Sequence, residues 1–460
     1  MSRVFGRDTR IEFPVAVRGE GLFLYDSTGK RYLDASGGAA VSCLGHGHPA
    51  VREAIKQQVD RLGYAHTGYF TNEPQEALAD ELIAHAPPGL TRAFFVTGGS
   101  EATEAALKLA RQYHVECGRP QRTRFISRKF SYHGNTLGAL AVSGHTARRS
   151  TYLPMLQKVM QISPCFPYRG RRANETEATY GERVANELEA AILQEGAETI
   201  AAFIAEPVVG ATLGAVPAVS GYFKCIRQIC DRHGVLLILD EVMCGMGRTG
   251  TLHACEQEGV APDLLLLAKG LGAGYQPIGA MLVAEKIYEA IAKGSGAFNH
   301  GHTYMGHAVG CAAALAVQEV IRQDDLLSNV QRQGRTLQNL LHERFQGHPH
   351  IGDTRGRGLL LAIELVEDRA TKQPFAAGLK LHSRIKQQAM AQGLICYPGG
   401  GTVDGESGDH VLIAPPFNVA HSQLEQIVLS LGDAVEAALQ GLPTAYDHTN
   451  DDSRAPPQRY

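Results

Sequence analysis

Short, uninterrupted apolar runs recur along the chain and limit the folds that it can adopt. They cover residues 93–96, 201–204, 235–239 and 264–267, and stretches with helical periodicity lie between them. Strands lose the alternation of polar and apolar residues when both of their faces are buried, as in a parallel sheet covered by helices. We therefore expect an α/β fold with a mostly parallel sheet in its large domain.

The two ends of the chain show other patterns. Near the N-terminus, residues 21–34 contain two alternating apolar runs around a Ser-Thr-Gly turn, which predicts an antiparallel hairpin. Toward the C-terminus, a long helical region near 306–345 is followed by apolar runs at 356–365 and 411–414, with a helix predicted at about 376–392. The second pattern indicates a smaller α+β domain.

Charge and composition exclude several classes of partner. The chain has a formal net charge of −3 and no sustained basic run, so it lacks the positive surface that binds nucleic acid or an anionic membrane. No apolar stretch approaches the roughly 20 residues of a membrane span, and the N-terminal residues are charged and lack the apolar h-region of a signal peptide. The nine cysteines form no CxxC pair. We expect a cytoplasmic protein with reduced thiols and small-molecule substrates.

Polar residues that follow the apolar runs are the best candidates for a site, because ligands of open α/β sheets bind beyond the carboxyl ends of the strands. After the first run come Thr97, Gly98, Gly99 and Ser100, followed by a helical stripe from residue 103. Glycines allow a close backbone approach, and a helix N-terminus favours phosphate. A tight turn with Ser100 as the helix cap explains the same residues, so this motif alone leaves both readings open.

An acidic residue follows the third run. Asp240 comes directly after residues 236–239, which contain no polar side chain. An isolated buried carboxylate is costly, so Asp240 needs a partner, and a cationic ring nitrogen would serve. A magnesium-binding pair with Glu241 is the alternative, but no Walker A sequence accompanies it.

A lysine follows the fourth run. Lys269 lies between the apolar residues 264–268 and a glycine-rich loop, a poor position for a solvated surface charge. Burial lowers the pKa of a lysine and makes the neutral amine available for Schiff-base chemistry. A lysine that extends to solvent explains Lys269 alone, but a phosphate cradle, a carboxylate and a buried amine together are what pyridoxal phosphate requires.

The three strand ends resemble the cofactor site of the class III aminotransferases, the omega-aminotransferases among the fold-type-I pyridoxal-phosphate enzymes. The resemblance extends from about residue 15 to about residue 440. It implies that Gly99 and Ser100 bind the cofactor phosphate. In the Ser-Tyr-His-Gly segment at 131–134 it implies that Tyr132 stacks on the pyridine ring, and in Ala-Glu-Pro it implies that Glu206 lies near that ring.

The same resemblance implies the catalytic pair and a residue from a second subunit. Lys269 would hold pyridoxal 5′-phosphate as a Schiff base and then move the substrate proton, and Asp240 would keep the ring nitrogen protonated. Val242 would form the wall on the opposite ring face. Thr303, in a His-Thr-Tyr-Met-Gly-His segment, would reach the cofactor phosphate of the partner in a homodimer. A dimer of dimers is the alternative assembly.

The resemblance also implies the domain organisation. We expect a large domain with a seven-stranded, mostly parallel sheet flanked by helices, and a small α+β domain formed by both ends of the chain. The expected boundaries are 1–60 for the N-terminal segment, 61–335 for the large cofactor-binding domain and 336–442 for the C-terminal part. Residues 443–460 are polar and contain prolines, and this composition predicts a disordered tail.

One position departs from the family pattern. Many omega-aminotransferases carry a mobile arginine just after a Gly-Leu-Ile-Cys-like strand, where it binds the substrate carboxylate. Here Gly393-Leu394-Ile395-Cys396 is followed by Tyr397. Arg357 or a backbone donor in the loop after Tyr397 could bind the carboxylate instead, and Glu206 loses the arginine that it pairs with in some relatives.

Other sites are disfavoured. His46-Gly47-His48 and His300-Gly301-His302 have a spacing that metal ligands can use, but no Cys, Asp or Glu set completes a tetrahedral site nearby, so no metal is expected. The glycines after Lys269 lack the G-x-G-x-x-G spacing of a dinucleotide site.

The expected activity is transfer of an amino group from a primary amine or omega-amino acid to a keto acid, with pyruvate as the acceptor, by ping-pong kinetics. An epimerase, aminomutase or lyase using the same cofactor is the alternative, because fold alone does not determine the reaction. A non-catalytic binding protein is disfavoured because Lys269, Asp240 and Ser100 are all present.

Overall fold

The computed structural model describes residues 3–442, and the predicted tail at 443–460 lies outside the described residues. The strands in chain order are β1 (Ala16–Glu20), β2 (Phe23–Asp26), β3 (Arg31–Asp34), β4 (Leu90–Val96), β5 (Arg124–Arg128), β6 (Met160–Ile162), β7 (Ile200–Ala205), β8 (Val208–Val209), β9 (Val216–Pro217), β10 (Leu236–Asp240), β11 (Leu264–Leu267), β12 (Gly279–Ala284), β13 (Ile351–Arg357), β14 (Leu360–Leu365), β15 (Leu394–Ile395), β16 (Tyr397–Gly400) and β17 (Asp409–Ile413).

Helices separate most of these strands. They are α1 (Gly37–Ala40), α2 (Pro49–Arg61), α3 (Glu73–Ala84), α4 (Gly99–Glu116), α5 (Leu137–Val142), α6 (Thr146–Arg149), α7 (Pro167–Gly170), α8 (Glu177–Glu195), α9 (Tyr222–His233), α10 (Cys255–Glu258), α11 (Glu285–Lys293), α12 (Ala308–Gln323), α13 (Leu326–Phe345), α14 (Leu381–Gln392) and α15 (His421–Leu439).

The central sheet has seven strands in the order β4-β12-β11-β10-β7-β5-β6. The strands from β11 to β6 are parallel to one another, whereas β12 runs antiparallel to both β11 and β4. The predicted α/β fold with a mostly parallel seven-stranded sheet is therefore confirmed.

Both faces of this sheet are buried against helices. In β10, Leu237 and Leu239 belong to a core with side chains of α8 and α9, whereas Leu236 and Ile238 belong to a core with α4. Successive side chains of a strand point to opposite faces, so a strand covered on both sides needs apolar residues at every position. This packing explains the uninterrupted apolar runs and leaves only their polar ends free to form a site.

Segments from the two ends of the chain meet in a second sheet. The predicted hairpin is present as β2 and β3, and its sheet continues to β15, which pairs parallel with β3. A third sheet, in the order β13-β14-β17-β16, shares a core with α13, α14 and α15. These pairings support the proposed small domain built from both termini.

The helical predictions were less accurate at their boundaries. The region near 306–345 contains two helices, α12 and α13, because Asp325 between them adopts a left-handed backbone with φ of 48°. The predicted helix at 376–392 begins only at Leu381. Residues 356–365 form parts of two antiparallel strands joined by a turn at Gly358 and Leu359.

Within residues 3–442, no helix is both long and apolar enough to cross a membrane.

Candidate active site

A cavity of about 590 Å³ lies beyond the C-terminal ends of β7, β10 and β11. Glu206 directly follows β7, Asp240 is the last residue of β10, and Lys269 is two residues beyond β11; all three line the cavity. Because β7, β10 and β11 are parallel neighbours, their ends meet at one edge of the sheet. Topology thus brings together three residues that the sequence separates by as many as 63 positions, from 206 to 269.

Lys269 is partly buried and lines the cavity, in the turn that follows β11. Loss of solvent lowers the pKa of its amine, and the negative charges of Asp240 and Glu206 act in the opposite direction. The backbone of Lys269 is left-handed, with φ of 44°, which costs a non-glycine residue about 1–3 kcal/mol. The N–H groups of Gly272 and Ala273 donate to its carbonyl oxygen and help to hold that turn.

Asp240 ends β10 and is buried, with 4% of its surface exposed. Its Oδ2 lies 2.7 Å from Nδ1 of His133, and its Oδ1 accepts a hydrogen bond of 3.0 Å from the backbone N–H of Val242. A carboxylate offers about four acceptor positions, so Asp240 can still accept from a further donor in the cavity. The partner that the sequence required for this buried carboxylate is thus partly supplied by His133.

Glu206 follows β7 and is also buried. Its carboxylate accepts from the backbone N–H groups of Tyr132 and Gly210, at 3.4 and 3.3 Å. Burial raises the pKa of Glu206, whereas nearby His133 lowers it. Backbone donors therefore take the place of the arginine partner that the sequence lacks.

The glycine-rich turn after β4 leads into α4, whose first turn faces the cavity. Gly98 is the residue before the helix, so Ser100 lies inside the helix and is not its cap. Oγ of Ser100 instead accepts from the backbone N–H of Asn135, at 3.0 Å. The N–H groups of a first helical turn have no partner within the helix, and they attract anions. Gly98, Gly99 and Ser100 together are well placed to hold a phosphate.

Two positions that line the cavity, Gly99 and Gly134, have no room for a side chain. A Cβ added to Gly99 would lie 2.9 Å from a methyl group of Val242. A Cβ added to Gly134, whose φ is 137°, would lie 2.6 Å from Oγ of Ser100. Glycine at these two positions therefore lets the backbone approach Val242 and Ser100 closely.

Tyr132 and Val242 line the cavity. Tyr132 is half-buried, and burial raises the pKa of its hydroxyl group. Val242 is two residues beyond Asp240 in the loop after β10. These placements fit the ring-stacking and wall roles that the sequence assigns to the two residues, and those roles remain proposals.

Glu241 faces away from the site of Asp240. Its two carboxylate oxygens accept 2.7 Å hydrogen bonds from the backbone N–H groups of Ala254 and Cys255, at the start of α10. Burial raises the pKa of Glu241 to about 7. The alternative of a magnesium-binding Asp240–Glu241 pair is therefore not supported. No group of three or more His, Cys, Asp or Glu residues suited to a metal is found within residues 3–442.

Thr303 does not line the cavity of its own chain. It is exposed in the turn before α12, and its carbonyl oxygen accepts a 3.0 Å hydrogen bond from the hydroxyl group of Tyr64. The proposed contact of Thr303 with a partner's cofactor is compatible with this exposure, and it stays a prediction.

Tyr397 lines the cavity together with Pro398, Gly399 and Gly400, so strand β16 reaches the site. Arg357 does not line it. Its guanidinium group pairs with Glu258 and also donates to the carbonyl oxygen of Ala218, at 3.1 Å. Of the two alternatives for carboxylate binding, Arg357 is thus engaged elsewhere.

The sequence reasoning missed three residues of the site. His133 is fully buried beside Asp240, and its position in the Ser-Tyr-His-Gly segment was a signal that could have identified it. Arg7 and Arg148 also line the cavity, but neither follows an apolar run, so no local pattern marks them.

Comparisons with known proteins agree with this geometry. Residues 5–435 match the family described as aminotransferase class-III. An aminotransferase of Schizosaccharomyces pombe is 44% identical over 431 residues, which cover 94% of each protein. An (S)-enantioselective omega-transaminase from Thermomicrobium roseum has a similar solved structure, with 35% identity, a TM-score of 0.87 and 94% of each chain covered. The omega-transaminase from Pseudomonas jessenii, solved in complex with PMP, is 32% identical, with a TM-score of 0.89 and coverage of 95% of this chain and 97% of that one.

Proposed function

The chain belongs to the class III aminotransferases, and from this premise we propose that it moves an amino group from a primary amine or an omega-amino acid to a keto acid, with pyruvate as the acceptor. The observation that carries the proposal is the meeting of Lys269, Asp240 and Glu206 at one edge of the sheet. The similarity to solved omega-transaminases supports a donor whose reacting amino group is at the end of its carbon chain.

The cofactor of this family is pyridoxal 5′-phosphate, and the residues of the cavity fit it. We assign the phosphate to Gly99 and Ser100 at the start of α4, where backbone N–H groups and the helix dipole favour an anion. Asp240 has a free acceptor position that would take a protonated ring nitrogen, and the amine of Lys269 would hold the cofactor covalently. When bound, the cofactor withdraws electrons from the substrate carbon that carries the amino group.

Lys269 is the proposed general base and acid. Because burial lowers the pKa of its amine, a larger fraction of Lys269 is neutral near pH 7 than of a solvated lysine. A neutral Nζ could accept the proton from the substrate carbon that carries the amino group and would then deliver it to the cofactor carbon that receives the amino group. The turn with φ of 44° limits the positions that the side chain can take as it does so.

Asp240 and His133 are proposed to hold the proton at the cofactor ring nitrogen. The carboxylate favours the protonated nitrogen because its negative charge is buried and held in place by His133 and the N–H of Val242. Tyr132 and Val242 are proposed to confine the ring between them, with Glu206 close to its edge. These groups are already oriented by protein contacts before a substrate enters.

Donor and acceptor use the same cavity in turn, so we expect ping-pong kinetics. The test is a screen of primary amines and omega-amino acids against pyruvate and 2-oxoglutarate, with the product of each half-reaction measured. Parallel lines in double-reciprocal plots and an absolute need for a keto acid are the expected results. Turnover of a single amino compound without a keto acid would instead favour an epimerase, aminomutase or lyase.

We further propose that the protein acts as a homodimer. The surface around Thr303 exposes several aromatic side chains, and a contiguous apolar patch on a soluble protein commonly marks an interface. These exposed residues are Tyr64, Tyr69, Phe70 and Tyr304.

The proposed location is the cytoplasm, since all nine cysteines are free, as in reducing compartments.

A further inference from the structure

Two arginines line the cavity without an acidic partner. Arg7 comes from the N-terminal segment and Arg148 from α6, and both side chains are exposed. Neither takes part in any of the ion pairs formed within residues 3–442. Their charges therefore remain available at the solvent side of the cavity.

The acids of the cavity do not neutralise these arginines. Asp240 and Glu206 are buried, with 4% and 5% exposure, and among the described residues their contacts are to His133 and to backbone N–H groups, not to Arg7 or Arg148. The cavity thus has buried acids beside Lys269 and two unpaired guanidinium groups nearer to solvent. A ligand that places an amine at Lys269 and an anion toward solvent matches this distribution of charge.

Arg148 is held in place by an aromatic side chain. The central carbon of its guanidinium group lies 5.0 Å from the centroid of the Tyr132 ring, a cation–π geometry that restricts the long side chain. A planar guanidinium group can bind both oxygens of a carboxylate, which a lysine amine cannot do with the same geometry. Arg148 therefore meets the requirements of a carboxylate receptor better than the less constrained Arg7.

We propose that Arg148, assisted by Arg7, binds the distal carboxylate of an omega-amino acid while its amino group reacts at Lys269. This role would fall to Arg148 because Tyr397 has no charge and Arg357 is paired with Glu258. The inference rests on the proposed aminotransferase function and specifies its substrate class, an amine with a carboxylate several bonds away. Arg148 is exposed whereas Lys269 is partly buried, so we place the carboxylate at the solvent side of the cavity and the reacting amine at its inner side.

The kinetic test compares omega-amino acids of three to six carbons with n-alkylamines of the same length, each with pyruvate. For Arg148→Gln we expect KM of the best omega-amino acid to rise at least tenfold with little change in kcat, and KM of the matched alkylamine to stay within twofold. Arg148→Lys should recover part of the loss, because charge returns without the planar fork. Arg7→Gln should show a smaller loss in the same direction. Arg332→Gln, an exposed arginine outside the cavity, is the control.

A binding measurement separates this inference from the proposed reaction. Hexanoate, which has no amino group, should bind the holoenzyme in calorimetry more tightly than hexanamide does, and Arg148→Gln should remove that difference. Equal losses on acids and alkylamines, or no loss at any chain length, would overturn the role of Arg148 even if transamination is intact. Absence of transamination with every donor would overturn the proposed function, while the hexanoate result would still decide whether Arg148 binds carboxylates.

Discussion

Nδ1 of His133 lies 2.7 Å from Oδ2 of Asp240, and both side chains are buried where Tyr132 and the end of β10 meet. The contact fixes the carboxylate that we propose to pair with the cofactor ring nitrogen. Nε2 of His133 is buried without a hydrogen-bond partner among the described residues. This arrangement gives His133 a positioning role, since it acts through Asp240.

His133→Ala should therefore impair catalysis by freeing Asp240. A hydrogen bond to a charged group contributes about 1.5–3 kcal/mol, so we expect kcat to fall by about tenfold to a hundredfold. His133→Asn can keep a donor near the same place and should retain more activity. The absorbance of the bound cofactor across pH should shift in the Ala variant and much less in the Asn variant. An unchanged absorbance profile in the Ala variant would argue against the positioning role.

Lys269→Ala should abolish turnover, because the chain loses both its link to the cofactor and its general base. The purified variant should lack the cofactor or hold it in a form that borohydride does not fix to the protein. Lys293→Ala, on the surface of α11, is the matched control and should behave as the wild type does. Wild-type turnover by Lys269→Ala would show that the lysine is wrongly assigned.

Asp240→Asn should leave the fold intact and lower the rate by several orders of magnitude. A neutral amide does not stabilise a protonated ring nitrogen, and each ~1.4 kcal/mol of lost transition-state stabilisation is a factor of ten. Circular dichroism would verify the fold, and single-turnover rates with one amine would measure the loss. A loss below tenfold would indicate that another group keeps the ring protonated.

Glu241 should make stability depend on pH. Its pKa is raised to about 7 by burial, so its contribution to stability is present at low pH and is lost as pH rises through about 7. We expect the urea midpoint of the wild type to fall between pH 5 and pH 8 more steeply than that of Glu241→Gln, which resembles the protonated acid. Parallel midpoints for the two proteins across this range would contradict the raised pKa.

Thr303 should complement Lys269 in mixed dimers if each site uses both chains. Lys269→Ala and Thr303→Ala chains, each impaired alone, would be unfolded together and reassembled at limiting cofactor. One site of a mixed dimer then contains both substitutions, whereas the other site contains the unchanged Lys269 of one chain and the unchanged Thr303 of the other. We expect activity above the weighted sum of the two parents. Strict additivity, with mixed dimers demonstrated by mass spectrometry, would place Thr303 outside any partner's site.

Much of this protein could be predicted from its sequence because the relevant signals are local. A strand buried on both faces needs an unbroken apolar run, so the positions of β7, β10 and β11 can be identified without knowledge of their neighbours. The polar residues that follow such runs lie at the edge where ligands bind, which identifies Asp240 and Lys269 as candidates, whereas Glu206 was predicted only from the resemblance of its Ala-Glu-Pro segment to the family.

Tertiary structure alone decided which residues those candidates meet. Asp240 pairs with His133, 107 positions earlier, and β15 pairs with β3 across most of the chain. Packing also decides which arginines are paired. Arg357 forms an ion pair with Glu258, whereas Arg148 has no acidic partner in the described chain. A local pattern reports the burial of its own segment, whereas pairing depends on chain reversals and packing that bring distant segments into contact. The sequence thus determined where chemistry could occur, and the fold determined which charges are neutralised and which face a substrate.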